Sequence, residues 1–156
     1  MRQAGLLVVL AIAGVVVAAD LAAFQLGLIA GPWEPFFGES SRRVLTSDLS
    51  RLLPIPDGVL GLAGYLVDLA LSAWLLGHPR GSQIAATGLA AIASLAGITA
   101  VFLVGYQVLV VGALCTLCLA SAGISWLLAG CAIREARARD GHDRAVAVHV
   151  RSTEAS

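Results

Sequence analysis

IAATGLAAIASLAGITAVFLVGYQVLVVGALCTLCLASAGISWLLAGCAI, residues 84–133, is one continuous apolar stretch. A helix that spans a bilayer needs about 20 predominantly apolar residues. This stretch is roughly twice that length, so it has to fold back on itself as two spans. Residues 4–30 make another run of spanning length, interrupted only by Asp20 and Gln25, and residues 58–76 make a further one with Asp68 inside it. The expected fold is all-α: an integral membrane four-helix bundle, with spans at about 4–30, 58–76, 84–106 and 112–133.

The turn inside the long stretch fixes the depth of its cysteines. Gly105-Tyr106-Gln107 is the most polar break. A turn there would bury Cys115 about 12 Å below the membrane surface, at 1.5 Å of rise per residue. A turn nearer Gly112 puts the cysteines in the first turn of the last helix, so the turn is expected over residues 106–112.

Composition agrees with a membrane protein. The chain is 58% hydrophobic and 13% charged, against about a quarter charged in soluble domains. Its net charge is zero, and nothing in that balance points to nucleic acid. Three cysteines make no disulfide framework. Leu119 follows Cys118, which excludes the haem-attachment form of the motif, and a structural zinc site wants four ligands that this layout does not gather. A cleaved signal peptide is the rival reading of the N-terminus, but Met1-Arg2 is weakly basic and the apolar run outlasts a signal core.

Arginine supplies every basic residue besides histidine, and it gathers toward the C-terminus. With four spans both termini share a side. Arg2, Arg134, Arg137, Arg139, Arg144 and Arg151 would lie there, against Arg42, Arg43 and Arg51 opposite, offset by Glu34, Glu39, Asp48 and Asp57. The positive-inside rule makes that side cytoplasmic. Between the first two spans lies a long loop, residues 31–57, with Pro-rich ends. Within it Val44, Leu45, Leu49, Leu52 and Leu53 recur at helical spacing. The loop is expected to carry a short interfacial helix, either capping the bundle beside the cysteines or lying on the surface without a role in a site. Residues 134–156 are expected to be a cytoplasmic tail, frayed at first and disordered beyond Asp140-Gly141.

The chemistry resides in Cys115-Thr116-Leu117-Cys118. Residues three apart share a helix face, so the pair can form and break a disulfide within one turn, at a depth that both protein thiols and lipid-soluble quinones reach. Thiolate is the reactive form, and a helix N-terminus stabilises it. Cys115 is thus expected to be the more exposed and better activated sulfur, with Cys118 one turn deeper and facing the bundle. Cys131 lies roughly 24 Å of helix away and reads as a packing residue. Ionisable residues within spans are functional candidates by default. Asp68 can relay protons or accept a bond from a neighbouring helix, Asp20 lies in the outer half of the first span, and Asp57 is either an N-cap or a partner for a quinone carbonyl.

The string Cys115-Thr116-Leu117-Cys118-Leu119-Ala120-Ser121-Ala122 resembles the active-site helix of bacterial members of the vitamin K epoxide reductase family. Pro56-Asp57-Gly58-Val59-Leu60-Gly61-Leu62-Ala63-Gly64-Tyr65 is similar to that family's entry into its second helix. Order and spacing agree as far as Ile133. The resemblance implies a four-helix bundle around a quinone (menaquinone or ubiquinone), with Cys118 as the quinone-facing thiol and Cys115 as its exchange partner. It implies cofactor contacts at Asp57, where many relatives have Asn, at Ser47 on the loop, and at Tyr65. It also implies a thioredoxin-like periplasmic or extracytoplasmic partner and a multi-pass position in the bacterial cytoplasmic (inner) membrane, surrounded by lipid. One departure stands out: the family's loop cysteines, eight residues apart, map onto Trp33 and Ser41, and the loop holds no cysteine. The expected activity is thiol oxidation coupled to quinone reduction through Cys115 and Cys118. The alternative is a non-catalytic quinone-binding or scaffolding subunit that has lost the full relay.

Overall fold

The computed structural model describes residues 2–33, 36–37, 39–46, 56–78 and 83–154. Every regular element among them is helical. They are α1 (Arg2–Gln25), α2 (Glu39–Leu45), α3 (Asp57–Gly77), α4 (Gln83–Tyr106), a π-helical turn (Gln107–Val111), and α5 (Thr116–Glu154). Four of the helical segments are long and apolar enough to cross a membrane. The described residues therefore form a multi-pass helical membrane bundle.

α1 packs along α3 and α5, while α4 packs along α5 and touches α3. Small residues permit these approaches. A side chain at Gly14 would occupy the ring of Tyr65, so α1 and α3 close on each other there. Trp126 lies across Gly97, and its indole N–H donates to the Gly97 carbonyl at 3.0 Å. The main core holds Leu7, Leu75, Leu89 and Leu128, each less than 2% exposed. Large apolar side chains such as Val16, Ile84, Leu95, Ile98, Phe102 and Leu127 point outward. An apolar exterior is what lipid demands, and a soluble protein of this size would not carry so much of it.

The ends of the elements differ from the sequence expectation in ways that matter for the site. α1 stops at Gln25 rather than near residue 30, because Gly27 takes a left-handed conformation (φ 73°). Leu26 and Leu28 N–H groups then close onto the carbonyls of Ala22 and Ala23. This is a glycine-dependent helix stop, since left-handed backbone costs a residue with a Cβ. The third span does not turn at residue 106. It runs on through the π-helical turn to Val111, and Gly112 (φ 62°) reverses the chain. The connection to α5 is only residues 112–115.

α2 spans seven residues, and its Val44 and Leu45 are buried against Leu21, Ala113, Cys115 and Leu117. The loop helix therefore caps the bundle at its CxxC end. Leu49, Leu52 and Leu53, which were expected to continue the amphipathic pattern, lie outside the described residues. At the other end, α5 continues to Glu154, where the sequence suggested a tail disordered beyond Asp140-Gly141. Arg134-Glu135-Ala136-Arg137-Ala138-Arg139 is rich in helix formers, and Arg139 pairs with Glu135 one turn earlier at 2.8 Å.

Candidate functional site

Cys115 sits at the N-cap position of α5, one residue before the helix starts. Its carbonyl accepts the Leu119 N–H at 3.0 Å, and its Sγ accepts the Cys118 N–H at 3.3 Å. The sulfur thus performs the role that a serine or aspartate oxygen usually performs at a helix start. Negative charge at that position interacts favourably with the helix dipole. Both cysteines are in the dithiol form.

The exposure of the two sulfurs reverses the sequence expectation. Cys115 is 0% exposed, covered by α2, whereas Cys118 is only partly buried. Placing the turn at residues 112–115 explains this: it tucks Cys115 under the cap and rotates Cys118 toward the bundle's central cavity.

Three side chains hold the CxxC turn in place. Gln107, 3% exposed, accepts the Cys115 N–H on its Oε1 at 3.3 Å. Its own carbonyl accepts the N–H groups of Gly112 and Ala113. One residue therefore ties the π-helical turn, the reversal and the motif together. Ser41 on α2, fully buried, donates its hydroxyl to the Leu114 carbonyl at 3.5 Å. Leu117, inside the motif, packs into the same apolar cluster as Val44 and Leu45.

The cavity of about 100 Å³ lies between α1, α3, α4 and α5 beneath the cap. Its walls are mainly apolar, and its polar lining comes from Gln25, Asp57, Tyr106, Gln107, Cys118 and Ser121. Asp57 is the first helical residue of α3; the N-cap is Pro56, which makes no side-chain cap. The Asp57 carboxylate accepts the Gly58 N–H at 2.9 Å and a short bond from Gln25 Nε2. Gln25 Oε1 accepts the same Gly58 N–H, also at 2.9 Å. The clasp joins the end of α1 to the start of α3, and Gly58 permits it: a Cβ there would lie 2.6 Å from Gln25 Oε1.

The residues singled out in the sequence are distributed as follows. Cys118 and Asp57 line the cavity, and Cys115 adjoins it under α2. Tyr65 is buried behind the wall. Its hydroxyl lies 2.8 Å from the Ser121 carbonyl, 3.0 Å from Ser121 Oγ and 2.8 Å from Ser125 Oγ, so it braces the Ser121 wall rather than lining the space. Ser47 lies outside the described residues. Asp20 accepts the Trp33 N–H at 3.0 Å and anchors the outer loop. Cys131 packs against the main core, away from the motif. Gln25, Gln107 and Ser41 were missed as site residues. The signal for the two glutamines was their polarity within apolar runs; Ser41 offered none beyond its alignment with a loop cysteine.

A thiol pair with one sulfur accepting the Cys118 backbone N–H and the other facing an apolar cavity suits two-electron exchange with an apolar oxidant. The cavity also fits a quinone ring in character: apolar walls and a small polar group at one end are the usual make-up of cofactor sites. The model of the vitamin K epoxide reductase family matches residues 5–133. No curated protein matches the chain.

Proposed function

The chain belongs to the vitamin K epoxide reductase family, a family of membrane oxidoreductases, and from that membership we propose that it oxidises the thiols of a thioredoxin-like partner and passes the electrons to a membrane quinone. The observation that carries this reading is the division of labour at the motif. Cys115 caps α5 beneath a short lid, and Cys118 faces the cavity.

In the oxidised enzyme Cys115 and Cys118 form a disulfide. A partner thiolate attacks Cys115 Sγ, the S–S bond breaks, and Cys118 leaves as thiolate. The second partner thiolate attacks the partner sulfur of this mixed disulfide, which releases Cys115 and gives the partner its own disulfide. Two electrons now reside on the Cys115–Cys118 pair. A quinone bound in the cavity supplies the acceptor for both. Gln107 keeps Cys115 positioned throughout by its bond to the Cys115 N–H. The clasp of Gln25 and Asp57 fixes the polar end of the cavity, and mainly apolar walls flank Cys118.

Two features of this chain shape the mechanism. The loop lacks the family's cysteine pair, so the partner engages Cys115 without an internal relay. Because Cys115 is fully buried and Val44 and Leu45 of α2 pack in the cluster around it, α2 has to lift for that attack. The orientation follows the arginine bias, with both termini cytoplasmic and the motif facing the oxidising side, where disulfides persist.

The same two features favour a second reading, in which the bundle binds quinone or scaffolds a complex without turning over. Trapping separates the two. The enzyme in its Cys115–Cys118 disulfide form is mixed with a thioredoxin-like protein whose resolving cysteine is absent. The partner thiolate forms a mixed disulfide with Cys115, Cys118 leaves as thiolate, and alkylation of Cys118 traps the adduct. A scaffold forms no such adduct, and its absence in folded protein would overturn the proposal.

A further inference from the structure

Among the described residues, three buried side-chain oxygens have no hydrogen-bond partner: Asp68 Oδ1, Ser72 Oγ and Gln83 Oε1. An unsatisfied buried polar group costs about 1–3 kcal/mol, and two of these, Asp68 and Ser72, lie one turn apart on the buried face of α3. Asp68 is at the middle of α3, Ser72 is one turn nearer the side of the chain termini, and Gln83 begins α4 at that end. Gln83 Nε2 donates to the Ala136 carbonyl of α5 at 3.1 Å, which holds the side chain at the bundle's edge.

Asp68 is 2% exposed and, among the described residues, has no counter-charge on the spans packed around it. The charged residues of α1 are Arg2 and Asp20, α4 has none, and α5 has none before Arg134. Toward the cavity, the next polar group on the same buried face of α3 is Tyr65. Its hydroxyl touches Ser121 and Ser125, and Ser121 lines the cavity with Cys118. Along α3 the steps are about 6 Å from Ser72 to Asp68 and about 4.5 Å from Asp68 to Tyr65, at 1.5 Å of rise per residue. Single bridging waters span such steps when polar partners stand on both sides.

We propose that Gln83, Ser72, Asp68, Tyr65 and Ser121 form a proton file running from the side of the chain termini to the cavity that Cys118 faces. The proposal rests on the thiol-to-quinone reaction above and closes its balance. Partner thiols that attack as thiolates leave two protons on the motif side of the membrane. Oxidising the Cys115–Cys118 dithiolate to the disulfide delivers two electrons, and forming a hydroquinone from a quinone takes those electrons with two protons. The file brings these two protons from the opposite side, so turnover moves charge across the membrane.

The test uses the full chain in proteoliposomes of one orientation, with a pH-sensitive dye in the compartment facing the termini. Dithiothreitol is the donor on the motif side and a menaquinone analogue the acceptor. Proton uptake from the terminus side should accompany turnover. Asp68→Asn should abolish that uptake and slow turnover about a hundredfold or more, the scale of a lost proton-transfer group. Thiol–disulfide exchange at Cys115 in the same preparation should be unchanged, which also certifies the fold. Ser72→Ala and Tyr65→Phe should each slow uptake. In quinone-free protein, a hydrophobic carbodiimide should label Asp68 faster when the terminus-side compartment is acidified than when the motif side is.

Uptake from the motif side, or labelling that follows the motif-side pH, would overturn the file. So would full turnover and uptake with Asp68→Asn. Wild-type protein that passes no electrons to quinone would contradict the reaction and the file together, whereas normal turnover unaffected by Asp68→Asn would contradict the file alone.

Discussion

Gln107 illustrates how much of this site depends on a single side chain. Its amide oxygen and its own carbonyl accept from Cys115, Gly112 and Ala113, so it sets both the reversal and the pose of the motif. Gln107→Leu removes the Gln107 bond to the Cys115 N–H, and one intramolecular hydrogen bond contributes about 0.5–1.5 kcal/mol. The expected outcome is a lower unfolding temperature and slower exchange at Cys115, measured by thermal denaturation and by mixed-disulfide kinetics; unchanged kinetics would remove Gln107 from the site. The burial pattern makes a second prediction. In the reduced protein, a small alkylating reagent should modify Cys118 before Cys115, and Val44→Ala with Leu45→Ala should speed modification of Cys115, as peptide mass mapping would show. Cys115, Cys118 and Asp57 were legible in the sequence because a spacing motif and a charge at a helix start announce themselves locally. Gln25 and Ser41 were not legible, because their roles arise when α1 and α2 approach residues 32 and 73 positions away. The relative exposure of the two cysteines was misjudged for the same reason: a cap folded over from another part of the chain decides it.

The four spans were readable from apolar run length alone, while their ends depended on glycine conformation and hydrogen-bond geometry that run length does not report. Gly27 and Gly112 stop their helices in left-handed backbone, and the π-helical turn carries the third span five residues past the expected break. That offset moves Cys115 from an open first turn to a covered N-cap. Close approach of α1 and α3 supplies the prediction at this level. Gly14→Ala places a methyl in the ring of Tyr65 and pushes it off Ser121 and Ser125; Gly58→Ala drives apart the Gln25–Asp57 clasp. Overpacking of this kind costs about 1–3 kcal/mol. Each variant should unfold at lower temperature than wild type, with Gly5→Ala, which meets open space, as the control. Equal stability of Gly14→Ala and Gly5→Ala would contradict the packing described for α1 and α3.

The bundle as a whole puts its apolar surface outward, its mainly apolar cavity under a lid at one end, and its arginine-rich extension at the other. Composition alone made the membrane class clear, and the motif resemblance anticipated the family. The end of α5 was not anticipated, because a charged Ala-rich segment reads equally as frayed tail or helix until its neighbours are known. If the arginine bias governs insertion, a membrane-impermeant thiol reagent added outside intact cells should reach a cysteine placed at exposed Trp33 and should miss one placed at Arg137. The reverse pattern would turn the site toward cytoplasmic thiols. The central claim, electron transfer from thiols to quinone through the motif, is tested most directly by quinone reduction with purified protein in nanodiscs, using a reduced thioredoxin-like donor. The account predicts turnover that Cys115→Ser or Cys118→Ser each abolish. Folded wild-type protein that reduces neither menaquinone nor ubiquinone with any dithiol donor, or turnover that survives either substitution, would contradict it.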